Sequence, residues 1–172
     1  MRSLPLVLTA AGLTALAGPA LAGDLTVTVT IPQISTSSYH RPYVALWIER
    51  PGAQPAQALA QTLAVWYDVN LAAGEGKDWL KDLRTWWRRG GRAMTMPADG
   101  VSGATRAPGR QTVTIPAARL RNLPAGQYNL VVEAAREQGG YEAVRVPFRW
   151  GGANTANASG SSELGAVRVT VR

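Results

Sequence analysis

The chain has 172 residues, no cysteine, one histidine and a formal net charge of +7 from 18 basic and 11 acidic side chains. The lack of cysteine excludes disulfides, thiolate metal sites and cysteine nucleophiles, and the single His40 excludes a cluster of imidazole ligands. The positive charge favours anionic partners, which outside the cytoplasm are phosphate-bearing ligands, acidic proteins or a lipid surface.

The first 22 residues have the pattern of a secretory signal peptide. Arg2 gives the positive start, an apolar stretch at 4–17 follows, and residues 20–22 (ALA) match the small-residue cleavage signal. The apolar stretch is shorter than the roughly 20 residues of a membrane-spanning helix. We therefore predict export to the periplasm with cleavage after Ala22, and one mature domain at 23–172.

Six or seven short strands are predicted along the mature chain. Apolar and hydroxyl side chains alternate in LTVTVTIP, 42–50 and 60–68 have the pattern of a hairpin, and 126–150 has that of two strands joined at Gly139 and Gly140. This spacing predicts an all-β fold, an antiparallel β-sandwich of the immunoglobulin or fibronectin type. We expect no regular structure in the polar segment 151–162. The predicted strands lie at 25–32, 42–50, 60–68, 110–118, 126–150 and 163–172.

The segment KDWLKDLRTWWRR, residues 77–89, has a helical pattern instead. It predicts an inserted amphipathic helix at about 78–89 that ends at Gly90. Either the tryptophans all pack on an open side of the sandwich, or part of the face is an aromatic shelf. In the second case Trp79 is buried while Trp86 or Trp87 lines a ligand site. The apolar face consists of Trp79, Leu80, Leu83, Trp86 and Trp87.

The loop ADGVSGATRAPG, residues 98–109, contains more than a turn requires. Its DGVSGAT resembles the acceptor motif of proteins modified by bacterial flavin transferases, in which Asp, two spacers, Ser or Thr, Gly, Ala and Thr receive FMN through a phosphoester. The resemblance implies attachment at Thr105, with Asp99 orienting the loop toward the transferase. Small residues at 103 and 104 favour close approach of another protein's active site. The motif consists of Asp99, Ser102, Gly103, Ala104 and Thr105.

A larger part of the chain also looks familiar. RPYVALWIE, LAVWYD, DWLKDLRTWWRR and SGATRAPG together resemble an exported domain family of unknown function that accompanies PepSY-type membrane proteins and flavin transferases. The resemblance implies a periplasmic flavoprotein electron carrier, with FMN attached to Thr105 by a flavin transferase. It would exchange electrons with a PepSY-type integral membrane reductase and meet the membrane only through that partner.

Nearby side chains suggest how such a cofactor would be held. Trp86 and Trp87 are the candidates nearest in sequence to stack on the flavin ring. Arginines on both sides of the loop are candidates to neutralise the phosphate or the reduced flavin. These arginines are Arg84, Arg88, Arg92, Arg106 and Arg110.

Three other functions have less support in the sequence than an electron carrier. An exported immunoglobulin-like binding module without a cofactor, holding a polysaccharide or a protein through exposed Trp and Tyr side chains, is the alternative. A hydrolase lacks a recognisable constellation, because Ser102 has no histidine close in sequence and the carboxylates form no motif. Basic and aromatic residues also suit nucleic acid, but export argues against that partner.

Overall fold

The structure, a computed structural model, describes residues 23–172. The predicted signal peptide at 1–22 lies outside the described residues. Nine strands, two short α-helices and four 3₁₀ segments follow one another along the described part of the chain. The strands and α-helices are β1 (Leu25–Ile31), β2 (Tyr43–Glu49), α1 (Pro55–Ala58), β3 (Leu59–Tyr67), α2 (Arg84–Arg89), β4 (Ser102–Ala104), β5 (Gly109–Ile115), β6 (Gly126–Ala135), β7 (Tyr141–Trp150), β8 (Asn154–Ser159) and β9 (Ala166–Val171). The 3₁₀ segments are Ala72–Lys77, Leu80–Asp82, Gly91–Ala93 and Ala117–Leu120.

The strands form two sheets that enclose the main core. One sheet has the order β5-β1-β9-β8 and the other the order β4-β3-β2-β6-β7. Strand β1 shows why the alternating pattern gives a sandwich, since its apolar side chains are buried between the sheets and its threonines face outward. Every pair of neighbouring strands is antiparallel except β3 and β4. The predicted all-β antiparallel sandwich is confirmed.

The turn before β6 has the hydrogen bond expected of an immunoglobulin-like sandwich. The Tyr128 hydroxyl donates to the carbonyl of Pro124 over 2.9 Å, which is the arrangement of a tyrosine corner. The neighbouring Trp150 indole donates to the Leu123 carbonyl over 3.0 Å and fixes the end of β7 on the same turn. These two bonds hold the NLPAGQY segment, residues 122–128, as the turn into β6.

Two segments that the sequence predicts as loops form strands. The prediction of no regular structure at 151–162 is wrong, because β8 pairs with β9 along its whole length and packs Ala156 and Ala158 against the core. Strand β4 lies inside the predicted acceptor loop and pairs with the end of β3. Both strands are at sheet edges, where short sequences with small side chains are adequate.

The predicted continuous helix at 78–89 is also wrong. A 3₁₀ turn at Leu80–Asp82 is separated from α2 by Leu83, whose ψ of 71° is not helical. Helix α2 begins where the buried Glu133 carboxylate of β6 accepts the backbone N–H groups of Thr85 and Trp86, at 2.8 and 2.7 Å. The segment nevertheless covers the outer face of the five-stranded sheet, as predicted, and forms a second apolar cluster there. No helix within residues 23–172 is long and apolar enough to span a membrane.

Candidate functional site

The acceptor motif begins with a tight turn that leads onto an exposed edge. The Ser102 hydroxyl accepts the N–H of Ala98 over 2.9 Å, and the Ser102 N–H donates to the Ala98 carbonyl at the same distance. Asp99 and Gly100 form the exposed tip, where the φ of +67° at Gly100 suits glycine. The Ser102 of the motif therefore shapes the loop, and Asp99 is presented to solvent.

Strand β4 fixes the rest of the motif against β3. Gly103 pairs with Trp66, and a Cβ at position 103 would lie 3.4 Å from the Trp66 ring. The Arg106 guanidinium sits 5.3 Å from the centroid of that ring. Ala104 is exposed, and the Thr105 N–H donates to the carbonyl of Tyr67 over 3.2 Å. The backbone of Thr105 is thus anchored at the end of the five-stranded sheet.

Thr105 opens into a cleft of about 660 Å³ at this end of the sheet. We call it the Thr105 cleft. It is lined by residues from three further stretches, 39–43, 68–84 and 135–141. Of the eight motif, tryptophan and Arg106 positions predicted as cofactor-binding, only Thr105 lines it. Arg84 of the neighbouring predicted arginines lines it too.

The tryptophans are arranged in the reverse of the predicted shelf. Trp86 is fully buried, and its indole N–H donates to the Thr62 hydroxyl over 3.2 Å. Trp87 is half-buried, packs on Trp86 with a centroid distance of 6.3 Å, and does not line the cleft. Trp79 lines the cleft and is 53% exposed. Trp86 therefore has no free face for a ligand, and the predicted burial of Trp79 is wrong.

Tyrosines that sequence reasoning did not select also line the cleft. The Tyr141 hydroxyl lies 2.7 Å from the Thr85 hydroxyl, and the Arg84 guanidinium is 5.5 Å from the Tyr141 ring centroid. Tyr43 packs edge-on against Tyr67 with a centroid distance of 6.1 Å. Burial raises the pKa of both Tyr43 and Tyr141 above the usual value of 10. Both phenols are therefore neutral near pH 7.

The turn between β6 and β7 is held in place by a buried ion pair. Arg136 donates two hydrogen bonds to Glu163, at 2.9 and 3.0 Å, and Glu163 also accepts the N–H of Gly140 over 2.8 Å. The hydrogen bonds to Glu163 raise the pKa of Arg136. The guanidinium lies 5.9 Å from the Tyr39 ring centroid. This pair fixes one side of the cleft, and Glu163 neutralises the charge of Arg136.

The remaining charged groups of the cleft are two guanidinium groups and three carboxylates. Arg41 and Arg84 line it together with Asp68, Asp82 and Glu137. Within residues 23–172, neither Arg41 nor Arg84 forms a salt bridge. The same part of the chain contains no group of three His, Asp or Glu side chains that would hold a metal ion. Its chemistry is that of aromatic faces, phenol donors and guanidinium groups beside one hydroxyl.

These features define a β-sandwich domain with an aromatic and arginine-bearing cleft next to a threonine that directly follows an edge strand. Over residues 24–166 the sequence matches the family described as "Predicted periplasmic protein (DUF2271)". The chain therefore belongs to this family of predicted periplasmic proteins. No curated protein and no solved structure matches the sequence.

Proposed function

We propose that the protein is a periplasmic electron carrier with FMN attached covalently through a phosphoester to Thr105. The observation that carries the proposal is that the threonine singled out by the acceptor motif lines the Thr105 cleft. A volume of about 660 Å³ is within the usual range of roughly 300–1,000 Å³ for cofactor and small-molecule sites. A flavin ring is planar and aromatic, and the cleft offers aromatic side chains and phenol donors to such a ring.

The attachment step requires a second protein. A flavin transferase would bring FAD to the threonine, and the Thr105 Oγ1 would lose its proton and bond to the flavin-side phosphorus. The pyrophosphate bond would break, and AMP would leave with the electron pair. Asp99 is the nearest carboxylate in sequence, but it lies at the exposed loop tip. Activation of the hydroxyl is therefore assigned to the transferase, and Asp99 to recognition.

The tether explains how an exported protein would keep its cofactor. A covalent link holds the ring near the cleft at high effective concentration, whereas free FMN would diffuse away. Bound FMN would supply the redox chemistry, and the protein would orient and tune it. The proposed redox partner is a PepSY-type integral membrane reductase, with the carrier reaching the membrane through that protein.

Intact-mass measurement of protein co-expressed with a flavin transferase tests the proposal. Wild type should gain the mass of FMN less one water, and Thr105→Ala should gain nothing. Thr112→Ala is the matched control because Thr112 is an exposed threonine of β5 outside the motif; it should be modified like wild type. An unmodified wild type, or equal modification of Thr105→Ala, would overturn the proposal.

A cofactor-free binding module is the second candidate. The exposed face of Trp79 in an open cleft favours it, because sugars and peptides also pack on such faces. In that case protein from the co-expression experiment would lack flavin and its in-gel fluorescence. A polysaccharide or a protein partner would then be retained equally by wild type and Thr105→Ala.

A further inference from the structure

We propose that Trp79 stacks on the flavin ring in the Thr105 cleft and that Arg84 supplies the positive charge that stabilises the reduced ring. This inference rests on the proposed function, because it assigns positioning residues to the same cofactor. Neither the family nor the acceptor motif designates either residue. Trp79 has the most exposed ring of the cleft, and Arg84 is a guanidinium of the cleft without a salt bridge in the described part of the chain but with a fixed position.

The three tyrosine rings of the cleft each contact a guanidinium or another aromatic ring. The Tyr141 ring has the Arg84 guanidinium 5.5 Å from its centroid, and its hydroxyl is tied to Thr85. Tyr43 meets Tyr67 edge-on. The remaining tyrosine, Tyr39, carries the Arg136 guanidinium. Each of these rings would have to give up a contact before it could stack on a ligand.

Trp79 is different because most of its surface is open. It is 53% exposed, the largest exposed fraction among the bulky apolar side chains of residues 23–172. The Lys81 ammonium lies 5.4 Å from the centroid of its ring. A lysine ammonium is strongly hydrated and sits on a flexible side chain. Tryptophan is highly buried on average, so an indole left open at a cleft is the natural platform for a planar ligand.

Among the cations of the cleft, Arg84 is free of a salt bridge to any described residue and is also held in place by a contact within the cleft. Arg136 forms an ion pair with Glu163. Arg41 is exposed and forms no salt bridge within residues 23–172. Arg84 is the first residue of α2 and its guanidinium rests on Tyr141, so it is positioned before a ligand arrives. Positive charge near the pyrimidine side of a flavin favours the reduced form, which carries more negative charge.

The stacking half of the inference is tested by fluorescence of the flavinylated protein. Stacking on an indole quenches flavin emission, so Trp79→Ala should raise the emission per attached flavin several-fold, with Trp79→Phe in between. Trp87→Ala removes a tryptophan that does not line the cleft and should leave the emission per flavin unchanged. Intact mass on each sample gives the number of attached flavins, and the modified fraction is isolated where attachment is partial.

The charge half is tested by the flavin midpoint potential at low salt. Arg84→Gln should lower it by the equivalent of about a tenfold loss in the ratio of reduced to oxidised flavin, which is about 30 mV for a two-electron couple. Arg84→Lys should recover part of the shift. Arg92→Gln is the control, because Arg92 is exposed and does not line the cleft.

The outcomes separate the two proposals. Wild type without attached FMN would overturn the proposed function, and this inference with it. Flavinylated variants in which Trp79→Ala and Arg84→Gln match their controls would overturn only the inference. A change in one of the two variants would retain that residue's assignment and overturn the other's.

Discussion

The buried carboxylate of Glu133 is the feature whose removal has the clearest expected cost. Glu133 is fully buried and accepts the backbone N–H groups of Thr85 and Trp86, at 2.8 and 2.7 Å, where α2 begins. Hydrogen bonds to a charged group are worth about 1.5–3 kcal/mol each. In Glu133→Gln one oxygen becomes an amide nitrogen that cannot accept, so one bond is lost and the other becomes neutral. We expect a loss of about 2–4 kcal/mol in the free energy of unfolding, from this arithmetic.

Urea unfolding followed by tryptophan fluorescence measures this loss. Glu75→Gln is the control, because Glu75 is an exposed carboxylate of the same connecting segment; it should change stability by less than about 0.5 kcal/mol. The comparison requires equal m-values in wild type and variants. If Glu133→Gln is as stable as Glu75→Gln, the carboxylate does not hold α2 on the sheet, and the explanation for the helix break at Leu83 fails.

Two further changes test the packing and the electrostatics of the sandwich. Burial alone would raise the pKa of Glu142, but hydrogen bonds from the backbone of residues 161–164 and from the Ser161 hydroxyl lower it to about 2. Its contribution is therefore present above the ordinary value of 4.5 and is lost as the pH falls toward 2. Solvent screening reduces it to about 1–2 kcal/mol. In Glu142→Gln the urea midpoint should therefore fall less between about pH 5 and 2 than in wild type, and an equal fall in both proteins would contradict this. A Cβ at Gly91 would lie 2.6 Å from the buried Trp86 ring, so Gly91→Ala should cost about 1–3 kcal/mol in thermal melts. Gly152→Ala, where a Cβ meets open space, should be neutral, and equal effects would refute the close approach.

The strands were predictable where one face is apolar over several periods. Strand β1 buries alternate residues and exposes the threonines between them, which is the signal that the sequence displays. Strand β8 has the same alternation, but its inward residues include only Ala156 and Ala158. Alanine buries little surface and occurs in loops as well. The strand is specified mainly by pairing with β9, and local sequence does not report such pairing.

The environment of Trp79 could not be predicted for a related reason. Its distance along the chain from Trp86 places both on one face only if the helix between them is continuous. The helix begins instead where Glu133, far away in sequence, offers its carboxylate to two backbone N–H groups. A long-range contact therefore decides which tryptophan is buried. The motif predicts Thr105 as a site residue from sequence alone, and the fold shows that Thr105 lines a cleft.

Several arginines are close in sequence to the predicted acceptor loop, but most of them do not line the cleft. Arg106 covers the Trp66 ring. Arg119, which the sequence did not single out, donates to the carbonyls of Gly100 and Leu63, at 2.7 and 3.2 Å. Arg119 therefore holds the acceptor loop on the sheet without entering the cleft. Arginine forms such contacts through its flat guanidinium and several fixed donors, and these contacts hold both guanidinium groups outside the cleft. The field at the cleft therefore depends on the guanidinium and carboxylate groups that line it. For the proposed FMN, Arg84 and not the net charge of the chain is expected to raise the potential.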